Sequence, residues 1–222
     1  MSRLSYLTLL LAAPLAACGF DNFSPPQATL QGRVVFEGTP VNVRQNAIQL
    51  ELWQDGYALR RDIPVYVRQD GTFSASLFDG AYKLVRKQNN GPWENDSDTI
   101  HFEMRGTQTI DVAVNPYFVI RNDDLQRSNS ILTATFDVAQ VVQNRELERI
   151  ALYVGTTAFV DARYNAAKLE RAATNLDLGT NTLSLDLSSA SQNRAYLYAR
   201  LGVKTVGVEE MIYTATKKIE LQ

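Results

Sequence analysis

From Asp21 onward the chain is a succession of short segments in which apolar and polar residues alternate. Ile48, Leu50 and Leu52 occupy alternate positions, and Trp53 falls on the opposite face. A period of two places successive side chains on opposite faces of a β-strand, so it predicts strands with one buried face. Turn residues separate these segments about every 8–12 residues, which is typical of an antiparallel sandwich. The alternation therefore predicts an all-β protein.

The predicted strands follow this alternation along the whole chain. They cover residues 28–37, 48–53, 63–67, 72–77, 82–86, 99–104 and 109–114, and then 117–121, 131–138, 150–154, 182–187, 195–203 and 212–221. Asp70-Gly71 and Asp79-Gly80 predict hairpin turns, because glycine tolerates positive φ and aspartate caps a turn. Residues 165–173 alone have helical spacing, although they fit a loop equally well because no glycine or cap closes them.

The sequence predicts a domain boundary at Asn115-Pro116. Proline cannot continue a central strand and holds the preceding residue extended, so this pair suits a short, stiff linker. The strand pattern begins again at Tyr117. The sequence therefore predicts two β-sandwich domains, covering residues 28–115 and 116–222.

The first residues have the pattern of an exported lipoprotein. Arg3 precedes an apolar run that is too short to cross a bilayer, which needs ~20 apolar residues, so residues 1–17 are predicted to be a cleaved signal peptide. Residues 15–18, with the sequence LAAC, form a lipobox. Cys18 is predicted to receive the lipid, and residues 18–27 to form the tether, because two or more acyl chains anchor a protein stably. The alternative is a secretory signal with an incidental cysteine.

Composition excludes several classes of site. Cys18 is the only cysteine, so lipidation leaves no thiol for a disulfide, a nucleophile or a metal. His101 is the only histidine, which excludes His-rich zinc sites. The net charge of −2 provides no basic surplus for nucleic acid. We expect no nucleic-acid partner, no cofactor and no bound metal. We also expect no enzymatic activity, since no nucleophile elbow or phosphate loop is present.

Three short segments of the first domain occur in a characteristic order. They are GRV at residues 32–34, DGTF at residues 70–73 and GAY at residues 80–82. In this order they resemble the carboxypeptidase-regulatory-like, transthyretin-like sandwich. In that fold an early strand enters the core, a hairpin turns on Asp-Gly, and a Gly-x-Tyr strand closes the sheet. The resemblance implies a transthyretin-like first domain.

A wider resemblance covers nearly the whole mature chain. The segments that carry it are Cys18, 21–23 (DNF), 77–85 (LFDGAYKLV), 91–93 (GPW), 115–117 (NPY), 131–136 (ILTATF) and 198–202 (YARLG). Together they resemble the two-domain surface lipoproteins of unknown function in Bacteroidetes-type polysaccharide-utilisation loci. One departure is Ile-Tyr-Thr at residues 212–214, where such proteins often have Asn-Tyr-Ser.

This resemblance implies an immunoglobulin-like or fibronectin-like second domain. It also implies an outer-membrane location facing the cell exterior, beside partners resembling the starch-utilisation transporter and its surface lipoprotein. The activity of the family is not established, so the resemblance provides a context and no mechanism.

Acidic residues offer only weak sites. Glu94, Asp96 and Asp98 share a polar loop, and paired carboxylates held ~5–9 Å apart could hydrolyse glycosides. A loop is a poor platform for such a fixed separation. The same carboxylates have the oxygen ligands that calcium prefers, but they lack the glycine and distal glutamate of a calcium loop. Whether they bind calcium stays open. Asp123-Asp124, which follows a strand, is predicted to be a turn.

Aromatic residues give the functional prediction. Sugar rings stack their C–H faces on tryptophan and tyrosine, while their hydroxyl groups need polar neighbours. Trp53 is predicted to face away from the core, with Tyr57 close behind it, and Trp93 lies in a polar loop. Alternatively, Trp53 covers a sandwich end and Trp93 fills a gap in the core. We predict an accessory glycan-binding lipoprotein with Trp53, Tyr57 and Trp93 as ligand contacts. The alternative function is a ligand-free module that docks partner proteins of an uptake complex.

Overall fold

The computed structural model describes residues 24–56, 58–175 and 178–221. Their strands are β1 (Ala28–Phe36), β2 (Thr39–Pro40), β3 (Gln49–Trp53), β4 (Ile63–Tyr66), β5 (Thr72–Leu77), β6 (Gly80–Arg86), β7 (Thr99–Met104), β8 (Thr107–Thr109), β9 (Val112–Ala113), β10 (Phe118–Ser128), β11 (Ile131–Gln140), β12 (Leu147–Gly155), β13 (Ala167–Ala172), β14 (Gly179–Asp186), β15 (Tyr196–Thr205), β16 (Ile212–Tyr213) and β17 (Lys217–Glu220). A single 3₁₀ turn, Ala173–Asn175, completes the regular structure of these residues. The signal peptide and Cys18 lie outside the described residues.

The first sandwich, residues 28–115, consists of two sheets. In one sheet β1 pairs antiparallel with β2 and β5, and parallel with β8 and β9. The other sheet is antiparallel, in the order β4-β3-β6-β7. Leu30 and Val34 of the first sheet and Leu50, Leu52 and Leu84 of the second are buried in the core. The predicted period of two is confirmed, since each of these residues alternates with a more exposed neighbour.

The second sandwich, residues 116–221, also has two sheets. One has the order β10-β11-β14; in the other, β12 lies between β13 and β15, and β15 pairs further with β16 and β17. A second, smaller apolar cluster covers the outer face of β12 and β15; it consists of Ala151, Tyr153, Val160, Met211 and Tyr213. These central strands are therefore buried on both faces. The predicted all-β architecture of two sandwiches is confirmed.

Both Asp-Gly turns occur where they were predicted, but neither closes a hairpin. At the first, Asp70 Oδ1 accepts hydrogen bonds from the Thr72 backbone N–H at 3.0 Å and from its hydroxyl at 2.7 Å. Yet β4 pairs with β3 and β5 pairs with β1, so the turn leads the chain from one sheet to the other. The second turn similarly joins β5 to β6 of the opposite sheet. The turn residues therefore determine where the chain bends, whereas packing of the core determines which strands pair.

Two further predictions were wrong. Residues 165–173 contain strand β13, because the open edge of β12 offers backbone partners and Leu169 aligns with Leu152 across the ladder. Asp123-Asp124 is no turn, since β10 continues to Ser128 through a bulge between Arg121 and Asp124. Asn122 lies in this bulge and adopts a positive φ of 52°.

The junction at Asn115-Pro116 is hydrogen-bonded to a loop of the first sandwich. The Glu94 N–H donates to Asn115 O at 2.9 Å, and the Tyr117 N–H donates to Pro92 O at 3.2 Å. The buried apolar residues form one continuous cluster that includes members of both sandwiches. The linker is thus part of a packed interface.

Further polar contacts join the two sandwiches. Arg44 forms a two-pronged ion pair with Glu210, and both side chains are largely buried. The Tyr213 N–H donates to Asn42 O at 3.0 Å. The Gln69 side chain donates to Ala158 O at 2.8 Å. Within the described ranges, no helix has the length and apolar character needed to cross a membrane.

Candidate functional site

The outer face of the β4-β3-β6-β7 sheet brings Trp53 together with Lys83 and His101. Strand register places Trp53 opposite Lys83, and Lys83 opposite His101. Their neighbours Leu52 and Leu84 are buried on the inner face. Because side chains on paired positions share a face, the three residues form a row across three strands. Trp53 is partly exposed on the solvent side, as alternation predicts.

An open groove of about 640 Å³ surrounds this row. We call it the Trp53 groove. Its lining residues are Trp53, Gln54, Asp55, Asp79, Gly80, Ala81, Tyr82, Lys83, His101, Phe102 and Glu103. Carboxylate, amide, ammonium and imidazole groups all reach the same surface, so the groove offers both hydrogen-bond donors and acceptors. Trp53, Tyr82 and Phe102 are its aromatic residues, and small-ligand sites combine apolar or aromatic walls with a few polar groups.

The ring of Trp53 is oriented by its neighbours. Its indole N–H donates to Glu51 Oε2 at 3.2 Å, and the guanidinium of Arg60 lies 5.4 Å from the ring centroid. In the same row, the Lys83 ammonium donates a hydrogen bond to the Asp55 carboxylate and forms an ion pair with it. This hydrogen bond lowers the pKa of Asp55 below its usual value. Asp55 is therefore a carboxylate at neutral pH. The indole and the Asp55 carboxylate thus each have a protein partner at the groove.

Trp93, one of the predicted ligand contacts, is buried, which agrees with the alternative that it fills a gap in the core. Only 4% of its surface is accessible, and its side chain belongs to the main apolar cluster. The indole lies against the backbone of Gly91, where a Cβ atom would come 2.2 Å from the ring. Trp93 also forms a β-bridge with Pro116. The polar sequence around it misled the prediction, because the loop folds inward to seal the junction of the two sandwiches.

Of the other residues singled out in the sequence, the structure describes the acidic loop but not Tyr57. Tyr57 lies outside the described residues. Asp96 accepts a hydrogen bond from the Asp98 N–H at 2.7 Å and pairs with Arg86, and these contacts lower its pKa, the bond from Asp98 most. Over the described ranges, no group of three or more His, Cys, Asp or Glu residues is placed to hold a metal ion. The oxygens of Asp96 are instead engaged by protein donors.

Sequence reasoning missed the partners of Trp53. His101 was considered only for zinc sites, and the structure places it exposed in the row. Lys83 was read only as part of a family motif. The signal that could have found them is the pairing of β3, β6 and β7, which depends on long-range register.

A second depression of about 320 Å³ lies between the two sandwiches. Its walls are mostly apolar and include Phe36 and Pro40 of the first sandwich and Ile212 of the second. The Arg121–Glu37 ion pair, at 2.9 Å, lies beside it.

Family comparisons match almost the whole described chain. Residues 28–115 match the family described as "Protein of unknown function (DUF3823) N-terminal domain", and residues 118–218 match "Domain of unknown function (DUF3823_C)". This chain belongs to the DUF3823 family. Neither description names an enzymatic activity. The resemblance to a two-domain family of unknown function is thereby confirmed.

Solved structures agree with the DUF3823 assignment. A DUF3823 protein from Bacteroides ovatus is 40% identical, with a TM-score of 0.82 over 88% of this chain and 100% of the other. One from Parabacteroides merdae is 34% identical, with a TM-score of 0.83 over 89% and 100%. A candidate carbohydrate-binding protein from Bacteroides uniformis shares the fold at 20% identity, with a TM-score of 0.73 over 88% and 100%. No curated protein matches this chain at a significant level.

Proposed function

We propose that this DUF3823 chain binds saccharides through the Trp53 groove, as a lipid-anchored protein on the outer surface of the outer membrane. The observation that carries the proposal is the row of Trp53, Lys83 and His101 on a solvent-facing sheet. The partly exposed indole of Trp53 donates to Glu51, with Arg60 over one side of its ring, and it provides the aromatic surface of the groove. The polar groups around it match what a sugar ring presents at its edge.

Sugar chemistry favours this site over the other surfaces. A pyranose has an apolar face of C–H groups and a rim of hydroxyl groups, each a donor and an acceptor. Stacking the face on Trp53 leaves the rim near Gln54, Asp79 and Glu103, which line the same groove. The groove is open and shallow rather than enclosed, which suits a segment of a long chain. We therefore expect a polysaccharide or oligosaccharide ligand.

The first residues and one protein of similar fold support the proposed cellular setting. The lipobox at residues 15–18 supports lipidation of Cys18, and an acylated Cys18 would tether the sandwiches at the membrane surface. One protein of similar fold is described as a candidate carbohydrate-binding protein. In this setting the protein captures glycan beside an outer-membrane transporter and its partner lipoprotein.

The alternative role is a module that docks partner proteins without a ligand. The mostly apolar depression between the sandwiches favours it, because apolar clefts at domain junctions also serve as protein contacts. Under this alternative, changes at Trp53 leave function intact, and changes at Phe36 or Ile212 impair it.

Affinity electrophoresis tests the proposal. The soluble protein beginning at Asp21 is run through gels containing starch, xylan, galactomannan or arabinogalactan. We expect retardation by at least one polymer, and a weakening of roughly 5- to 150-fold in Trp53→Ala, by analogy with bases stacked on aromatic residues. Tyr196→Ala removes an exposed aromatic of the second sandwich and serves as the control. Equal retardation of wild type and Trp53→Ala would reject the groove.

A further inference from the structure

The loop between β12 and β13 presents a second aromatic surface, on the other sandwich. This loop, residues 155–166, borders a depression of about 330 Å³. Thr156, Thr157, Arg163, Tyr164 and Asn165 line the depression. Tyr164 is 69% exposed and Arg163 is also exposed. One aromatic ring thus lies among hydroxyl, amide and guanidinium groups.

A buried carboxylate fixes the backbone that carries Tyr164. Asp161 is 1% exposed, and its Oδ1 accepts hydrogen bonds from the N–H groups of Arg163 at 2.7 Å and Tyr164 at 2.9 Å. The Asp161 N–H donates to Tyr164 O at 2.9 Å. A buried carboxylate must have its hydrogen bonds satisfied, so this turn cannot open cheaply. The exposed ring therefore projects from a rigid turn.

Hydrogen bonds within the loop and to both sandwiches also hold it in place. The Asn165 side chain donates to Asp161 O at 3.0 Å and to Ala162 O at 3.2 Å. The Ala162 N–H donates to the hydroxyl of Tyr213 at 3.3 Å. From the first sandwich, Gln69 donates to Ala158 O. The loop is consequently fixed relative to both sandwiches, and the ordering entropy of binding is small.

We propose that the loop of residues 155–166 is a second saccharide-binding site, with Tyr164 as the stacking surface. Arg163 and the hydroxyl groups of Thr156 and Thr157 would bond the rim of the sugar ring. The proposal rests on the proposed function for the class of ligand, and it adds a site on the second sandwich.

Two sites on one rigid unit have a consequence for ligand length. The ion pair between Arg44 and Glu210 and the continuous core prevent the sandwiches from moving freely. A polymer that reaches both sites gains affinity without any new contact, since its second contact becomes intramolecular. A short oligosaccharide cannot gain in this way. We therefore expect a polymer long enough to span both sites to bind more tightly than a short fragment.

The experiment compares four proteins in the same polysaccharide gels, namely wild type, Tyr164→Ala, Trp53→Ala and the double variant. Tyr196→Ala is the matched control, because Tyr196 is an exposed tyrosine of the same sandwich that packs against Tyr198. We expect Tyr164→Ala to weaken retardation about fivefold or more, with an unchanged melting temperature. The double variant should migrate as it does without polymer.

The outcomes separate this proposal from the proposed function. Retardation of Tyr164→Ala equal to wild type, with Trp53→Ala weakened, overturns the second site and leaves the Trp53 groove standing. Weakening in Tyr164→Ala alone supports the second site and rejects the groove. Absence of retardation of the wild type by every polymer overturns both.

Discussion

The guanidinium of Arg200 lies over the ring of Tyr213, with its central carbon 3.9 Å from the ring centroid. Arg200 is fully buried in the second sandwich, and its Nη1 donates to Val43 O of the first sandwich at 3.1 Å. Burial lowers its pKa to about 10. Among the described residues, Nε and Nη2 have no hydrogen-bond partner. The buried Arg200 guanidinium thus connects the two sandwiches, although its charge is removed from water.

Substitutions of Arg200 should separate packing from charge. We expect Arg200→Ala to lower the free energy of unfolding by about 3–5 kcal/mol, because it leaves a cavity and removes the bond to Val43. Arg200→Met fills similar volume without a buried charge, and it should lie within about 1 kcal/mol of wild type. Denaturant unfolding measures both. Equal losses in the two variants would show that the bond to Val43 and the stacking outweigh desolvation.

The two tryptophans should differ in their contribution to stability. Trp93→Ala removes a buried ring from the junction, and we expect a loss of about 3–5 kcal/mol. Trp53→Ala removes a partly exposed ring and should cost about 1 kcal/mol. Thermal or denaturant unfolding gives both values. A small loss at Trp93 would contradict its placement in the core.

Gly32 is predicted to tolerate no side chain. A Cβ at this position would lie 1.8 Å from Ile110 O and 2.7 Å from the ring of Phe73. The strand cannot withdraw easily, because the Ile110 N–H donates to Gln31 O at 2.9 Å. We expect Gly32→Ala to cost about 3 kcal/mol or more, as overpacking does. The neighbouring exposed position provides the control, since Gln31→Ala should change stability by about 0.5 kcal/mol or less.

The strands could be predicted from the sequence because alternation is a local property. The strands at residues 72–77 and 99–104 have the same bounds in the structure as in the prediction. Partner choice is not local. Asp70-Gly71 defines a turn in either case, and only the packing of the whole core decides that β5 pairs with β1.

The candidate site was predictable only in part, for the same reason. Alternation placed Trp53 on the solvent face, but the row with Lys83 and His101 depends on register between distant strands. Trp93 lies in a polar segment, and its burial depends on contact with Pro116 across the domain boundary. The residues next to a tryptophan in sequence do not reveal contacts made with the other sandwich.

Cys18 should control membrane retention. We expect Cys18→Ala to abolish incorporation of labelled palmitate and to release the protein from the membrane fraction, because Cys18 is the only thiol in the chain. Ser24→Ala, a few residues further along, should be retained like wild type. Equal labelling of the wild type and Cys18→Ala would contradict lipidation at this residue.

Two buried tyrosines should make stability fall at alkaline pH. Burial raises the pKa of Tyr213 to about 12. Burial, and the nearby Glu170 carboxylate, raise the pKa of Tyr153 further above its usual value. In the unfolded chain both ionise near pH 10. The folded state retains protons that the unfolded state releases, so this stabilisation is complete below about pH 10 and is lost as the pH rises toward 12.

Phenolate absorbance and denaturant unfolding, followed between about pH 8 and pH 12, test this expectation. Tyr153 and Tyr213 should ionise only as the protein unfolds. Tyr213→Phe keeps the ring under Arg200, so it should remove one late-titrating group and flatten the fall in stability. Tyr164→Phe changes an exposed tyrosine and serves as the control, so it should leave the fall in stability with pH unchanged. Ionisation of all tyrosines near pH 10 in the folded protein would contradict the buried placement of Tyr153 and Tyr213.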